Sequence, residues 1–279
     1  MLERIKRLVT DPPPAHVFEF SPAGIAWAIS ENSPEGPRTR TGFEPLPPGA
    51  LKVSPIEDNI IDTLAVDAAV KRIAPPDPQK KRRRPAALIL PDYCGRLTVL
   101  DFDSFPSKLD EQASLVRFRM KKTLPFEVES AALSFEAQVD PKGAAHVVVG
   151  AVSLEILSRY EQMLRNSDFQ PGYVTLSSLA SLALVPEAAG ITVFARLNGR
   201  VLTVSVVMGN ELRLARCLEL ESATADEIDQ VLQPTLAFVE DEFNQPVEQL
   251  IYCGLDGGTR LPAPPQSAGL MGYLAGVAA

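Results

Sequence analysis

The order of apolar segments predicts a duplicated α/β fold with a piece inserted in the first half. Two observations carry this. A strand, a tight turn, a returning strand and then a helix occur near the start of the chain and again from Gly190 onward. Between the two copies lies extra material, centred on Leu109–Ala137, that has no counterpart in the second copy.

The elements follow in order. His16–Ile29 reads as a buried strand, a turn at Ser21–Gly24 and a returning strand through Trp27, followed by a polar, proline-rich loop at Ser30–Arg40. Ile56–Ile73 has helical periodicity through Ile60, Ile61, Leu64, Ala68 and Val70. Ala74–Pro85 reads as a solvated linker, and its run Lys80-Lys81-Arg82-Arg83-Arg84 needs no ligand in an acidic protein. Ala86–Leu90 and Gly95–Phe102 are strands. In Leu109–Lys122, Leu109, Ala113, Val116 and Met120 recur at helical spacing, with Glu111, Arg117, Arg119, Lys121 and Lys122 on the other faces. Leu124-Pro125-Phe126 stops that helix, because proline disfavours the α region for the residue before it.

Strands Ala132–Val139 and Ala145–Val152 come next, then the helix Leu154–Arg165, the strand Pro171–Thr175 and a short helix Ser177–Val185. The second copy has strands Ile191–Leu197, Val201–Met208 and Leu212–Leu218, with hairpin signals at Asn198-Gly199 and Gly209-Asn210. A long helix Ala223–Phe243, a strand Leu250–Tyr252 and a small-residue helix Gln266–Gly276 complete it. These elements divide the chain into a basic amphipathic segment (1–15), a first half (16–186) with an insertion at about 92–176, and a shorter second half (187–279). The layout is that of an actin-like, ribonuclease H-like fold, duplicated and reduced in its second half.

Composition excludes several classes. A net charge of −8 argues against a nucleic-acid binder, which must neutralise phosphates. Three scattered cysteines, Cys94, Cys217 and Cys253, suit a reducing compartment and form no disulfide framework. No run approaches the roughly 18 apolar residues of a membrane span. The start MLERIKRLVT sets Leu2, Ile5, Leu8 and Val9 against Arg4, Lys6 and Arg7, a pattern open to peripheral membrane contact or to a frayed turn. Two histidines, His16 and His146, cannot build a metal cluster with the cysteines and read as structural.

The segment VRFRMKKTLPFEVESAALSFEA resembles the helix, proline-phenylalanine turn and strand of PilM, the actin-like cytoplasmic protein of type IV pilus assembly. MLERIKRL with His16–Ile29, PLPPGALKVSPIED, Ala86–Phe105 and VVVGAVSLEILSRYEQMLRNSDFQPGYVTLSSLA are similar to further PilM stretches in the same order, over roughly residues 1–218. The resemblance implies a scaffold at the cytoplasmic face of the inner membrane. Its partners would be the cytoplasmic N-terminal peptide of a PilN-like membrane protein and other pilus assembly proteins. The peptide would lie in a groove between the first half and the insertion, with Arg117, Phe118, Leu124 and Phe126 as contact candidates. The alternatives are an actin-like ATP-binding protein and the cytoplasmic domain of a type II secretion protein of the GspL kind.

The resemblance also locates a nucleotide site, and here the chain departs from the pattern. Phosphate hairpins need close backbone approach, which glycine permits, and magnesium needs oxygen ligands. In the first hairpin Glu19 keeps the acid, but Ser21 stands at the glycine position, Ala23 at the hydroxyl position, and Pro22 has no N–H. In the second hairpin Arg196-Leu197-Asn198 replaces Asp-x-Gly. The glycine triplet falls on Gly254-Leu255-Asp256, with Gly257 and Gly258 just beyond. The resemblance therefore points to a vestigial site, with no ATP, magnesium or other cofactor expected and no hydrolysis.

Overall fold

The computed structural model describes residues 13–33, 36–76, 79, 82–139, 143–256 and 259–278. Residues 1–12 of the N-terminal basic segment, Lys80, Lys81, Gly257 and Gly258 lie outside the described residues. The chain runs β1 (His16–Ser21), β2 (Gly24–Ser33), β3 (Gly36–Pro45), α1 (Thr63–Ile73), β4 (Arg84–Leu90), β5 (Gly95–Phe102) and α2 (Leu109–Met120). It continues through β6 (Ala131–Val139), β7 (Ala145–Ser153), α3 (Leu154–Arg165), β8 (Phe169–Leu176) and α4 (Ser177–Ser181). The second half holds β9 (Ile191–Asn198), β10 (Val201–Met208), β11 (Glu211–Glu219), α5 (Ala225–Phe243), β12 (Val247–Cys253), β13 (Thr259–Arg260) and α6 (Ala268–Ala278).

The duplication is explicit in the topology. The first half forms a sheet in the order β3-β2-β1-β4-β8, the second a sheet in the order β11-β10-β9-β12-β13. In each, three antiparallel strands are followed by two parallel ones. The second half is the smaller copy: one helix, α5, joins β11 to β12, and β13 is two residues long. A third, antiparallel sheet in the order β5-β7-β6 carries α2 on one face, where Val116 and Met120 pack on Leu100, Phe102, Val147 and Val149. This sheet spans Gly95–Ser153, whereas β8, within the 92–176 range expected for the insertion, adds in parallel to β4 in the main sheet. The other face of the inserted sheet, through Leu97, Val148 and Val152, shares a core with the first half and with Leu212 and Ala215 of β11.

Three local expectations change. The polar loop expected at Ser30–Arg40 is a strand pair, β2 running to Ser33 and β3 starting at Gly36. Polar cross-strand pairs hold it: Ser30 Oγ and Thr39 Oγ1 lie 2.9 Å apart, and Arg40 donates to Glu31 at 2.7 Å. As the sheet's edge, β3 tolerates Pro37. The helix expected from Ile56 begins only at Thr63, capped by Asp62 accepting from Ala65 N at 2.9 Å. Residues before it are held by the buried Asn59, whose amide donates to Ser54 O (2.8 Å) and Glu57 O (2.7 Å) and accepts from Tyr160 Oη (3.2 Å). Such side-chain bonds offer the backbone an alternative to helix. Finally, Arg84 of the expected solvated run is the first residue of β4, its guanidinium 3.9 Å above the Phe169 ring and bonded to Ala74 O and Ser167 O.

The predicted helix α2 and its stop at Leu124-Pro125-Phe126 are present, with Leu124 N donating back to Met120 O at 3.0 Å. Only the second half of its apolar stripe is buried; Leu109, in the first turn, is 75% exposed. Among the described residues no helix is long and apolar enough to cross a membrane.

Candidate functional site: the cleft between the halves

The carboxyl ends of β1 and β4 face the β9–β10 hairpin of the other half, the place where open α/β sheets put ligands. Here that place is filled by side chains from both halves. Arg196, near the end of β9, is 2% exposed. Its Nη2 donates to Asp92 Oδ2, its Nη1 donates to Ser177 Oγ at 2.6 Å and Pro265 O at 3.4 Å, and Glu19 Oε1 lies 3.8 Å away.

Each partner is itself held in place. Asp92 follows β4 in a one-turn 3-10 helix and accepts from Ser178 N (2.5 Å) and from Thr203 Oγ1 of β10 (2.9 Å). Glu19, on β1 and 1% exposed, accepts from Ser177 Oγ and from the first backbone amides of α6, Gly269 N at 3.3 Å and Leu270 N at 2.7 Å. A carboxyl group at a helix N-terminus meets both free N–H groups and the positive end of the helix dipole. Gly269 is needed there: a Cβ would fall 2.5 Å from Ser177 Oγ and 2.8 Å from Glu19 Oε1.

The electrostatics suit a closed cluster. Burial pushes the Glu19 carboxyl up to about 7, against Arg196, Ser177 and the Leu270 amide, which pull it down. Burial alone would lower Arg196, but the Asp92 and Glu19 carboxyls more than offset it and hold the guanidinium charged. One cation thus faces two acids, one of which takes a proton near neutrality. Burial also pushes Cys94 well above the ordinary thiol value, Cys217 to about 12, and Cys253 upward, so these thiols stay protonated. The cavity left between Glu19, Pro22, Asp92, Tyr93, Arg196 and Asn198 is about 20 Å³, room for about one water.

Several residues singled out in the sequence meet here: Glu19 and Arg196 in contact, and Asn198 on the wall. Ser21 closes the β1–β2 turn, donating to Gly24 O at 2.9 Å. Gly254 (φ +73°) lets β12 turn against β9, since a Cβ there would lie 2.3 Å from Leu197 O. Sequence reasoning missed Asp92, Ser177 and Thr203. Asp92 carried a usable signal, a carboxylate directly after a parallel strand and its terminal proline. Ser177 and Thr203 carried none. The four peptide-contact candidates lie away from this cluster, on α2 and its exit turn. Arg117 donates to Val128 O at 3.1 Å and Leu124 packs into the inserted core, while Phe118 is 64% exposed and Phe126 half-buried.

The chain can now be set beside known proteins. A chain of a PilM-PilN type IV pilus biogenesis complex matches 96% of it, over 99% of its own length, with a TM-score of 0.69 at 16% identity. The fold is actin-like. The cytoplasmic domain of EpsL, an inner-membrane component of the Vibrio cholerae type II secretion system, matches 93% of each chain with a TM-score of 0.52 at 14% identity. A Bacteroides thetaiotaomicron protein described as having an actin-like ATPase fold and unknown function matches 87% of this chain and 82% of its own, with a TM-score of 0.49 at 14% identity. No protein-family model matches the sequence, and no curated protein does. The shared architecture is thus retained where sequence likeness has fallen to the level at which only the fold is carried.

Proposed function

We propose that this protein is an actin-fold adaptor of a type IV pilus or type II secretion assembly, neither binding nor hydrolysing ATP. In this reading it sits at the cytoplasmic face of the inner membrane and binds the cytoplasmic N-terminal peptide of a PilN-like membrane protein. The observation that carries the reading is Arg196. A magnesium–triphosphate needs oxygen ligands at roughly 2.0–2.1 Å and backbone N–H groups turned toward phosphate. In this cleft the carboxyl oxygens of Glu19 and Asp92 are taken by the protein's own donors, a guanidinium stands where a cation would have to enter, and Pro22 offers no N–H. These residues do not fit the nucleotide.

The likeness to a pilus complex and to a secretion-system domain supports the adaptor role. For the peptide, the apolar candidate is Phe118, a side chain left open on α2, which covers the face of the inserted sheet turned away from the first half, so the proposed contact is that outer face and not a groove between the two. Extended peptides gain affinity and specificity by seating alternate side chains against such apolar anchors. The test is fluorescence anisotropy with the labelled N-terminal peptide of the inner-membrane protein encoded beside this one. Saturable binding weakened about tenfold by Phe118→Asp, roughly 1.4 kcal/mol, is expected. No binding by folded protein at high concentration overturns the peptide assignment.

A further inference from the structure

We infer that Arg196 is a built-in cation that holds the two halves closed, so that closure of the cleft needs no ligand. The inference rests on the reading of the cleft as one that takes no nucleotide. Its partners are distributed in a way that only a closed cleft satisfies. Arg196 and Thr203 belong to the second sheet; Asp92, Ser177 and Glu19 belong to the first half. Opening the halves would part Arg196 and Thr203 from Asp92, giving up the charge-assisted hydrogen bonds made inside the closed cleft. Opening would also pull on α6, which follows the second half in the chain yet is capped by Glu19 of the first through the amides of Gly269 and Leu270.

The packing of α6 favours the same state. α6 crosses back onto the first half, where Leu270 and Tyr273 pack on Val17, Ala26, Ala87 and Ile89. It also crosses α4 at glycine distance: a Cβ on Gly272 would lie 2.2 Å from Ala180 O. The helix that ends the second half is therefore seated on the first half along its length and capped there by Glu19. The inserted sheet adds a third tie, through the core that Leu97 and Val148 share with Leu212 and Ala215. A cation of one lobe reaching two acids of the other does electrostatically what a bound cation would do, but it is covalently part of its own lobe and cannot leave.

Hydrogen exchange of the full chain tests this, because the amides of Ser178, Gly269 and Leu270 donate directly to the clamp carboxyls. The variant Arg196→Met/Asp92→Asn removes one charge of each sign, so it avoids the stranded carboxylate that would destabilise the single Arg196→Met variant. Expected is exchange at least tenfold faster in peptides covering 177–181 and 268–274, with unchanged exchange in α2 and in the β6–β7 hairpin, which report on folding of the inserted sheet. Exchange equal to wild type in those two peptides overturns the clamp. Wild-type exchange is measured with and without millimolar magnesium-ATP. No change is expected; slower exchange at 177–181 and 268–274 on adding nucleotide would show a ligand-driven closure and overturn the inference that closure needs no ligand. A wild-type nucleotide response together with raised exchange in the variant would leave Arg196 as a clamp and identify the reading of the cleft as nucleotide-free as the part that failed.

Discussion

Replacing Arg196 by methionine keeps much of the side-chain volume and removes the charge. It deletes the bonds to Asp92, Ser177 and Pro265 and leaves two acids facing one another in the sealed cleft. Removing one partner of a buried pair costs about 3–5 kcal/mol, mostly the penalty of the charge left behind. Glu19, with a carboxyl already raised to about 7, escapes by taking a proton, so the penalty falls on Asp92, which keeps only Ser178 N and Thr203. At about 2–4 °C per kcal/mol for a chain of roughly this size, the midpoint of thermal unfolding should fall by roughly 10 °C. Urea and thermal unfolding followed by circular dichroism at pH 7 read this directly. A loss below about 1 kcal/mol would refute the reasoning, because it would mean the guanidinium is not the partner that Asp92 depends on.

Three further outcomes follow from the same structure. Glu19 has a folded-state pKa raised from 4.5 to about 7, so its contribution is fully present below about pH 4.5 and is lost as pH rises through 7. At 1.36 kcal/mol per pH unit, wild-type stability measured against Glu19→Gln should fall by roughly 3 kcal/mol across that window; a difference that is flat or rises with pH would contradict it. Gly272→Ala forces a Cβ to 2.2 Å from Ala180 O and should destabilise by about 1–3 kcal/mol, whereas at Gly276 the nearest atom is 3.7 Å away and alanine should be neutral or stabilising. Equal unfolding midpoints for the two variants would show that the α4–α6 crossing is looser than drawn. Phe118→Asp, at a side chain 64% exposed, should leave the unfolding midpoint within about 0.5 kcal/mol of wild type while weakening peptide binding; a large stability loss would place Phe118 in the core.

In the second half β9, β10 and β11 were legible in the sequence to within a residue at each end, whereas β12 starts at Val247, three residues before the expected Leu250, and the two-residue β13 was not expected. β9 and β10 are apolar runs, and Gly199 and Gly209 take the positive φ that the hairpins require (+62° and +58°). Helix α3 was legible too, because its buried face, Ile156, Tyr160, Met163 and Leu164, keeps helical spacing. The β2–β3 ribbon was not, since its stabilising contacts are polar pairs across an exposed edge and its prolines mimic a loop. The start of α1 was missed because apolar Ile60 and Ile61 extend the helical pattern backward, while the polar side chains of Asn59 and Asp62 decide the backbone. The cleft was half legible. Comparing two hairpins singled out Glu19 and Arg196, but the cluster is closed by residues far away in sequence: Asp92 lies 104 positions from Arg196, and Ser177 lies 158 from Glu19. Only the duplicated topology brings them together.

The most direct test of the account is a crystal structure of the full chain grown with several millimolar magnesium-ATP. The account predicts Arg196 bonded to Asp92 and Ser177, Glu19 on the first amides of α6, and no nucleotide between the halves. Nucleotide density in the cleft, with Arg196 turned away from Asp92 to admit it, would contradict it.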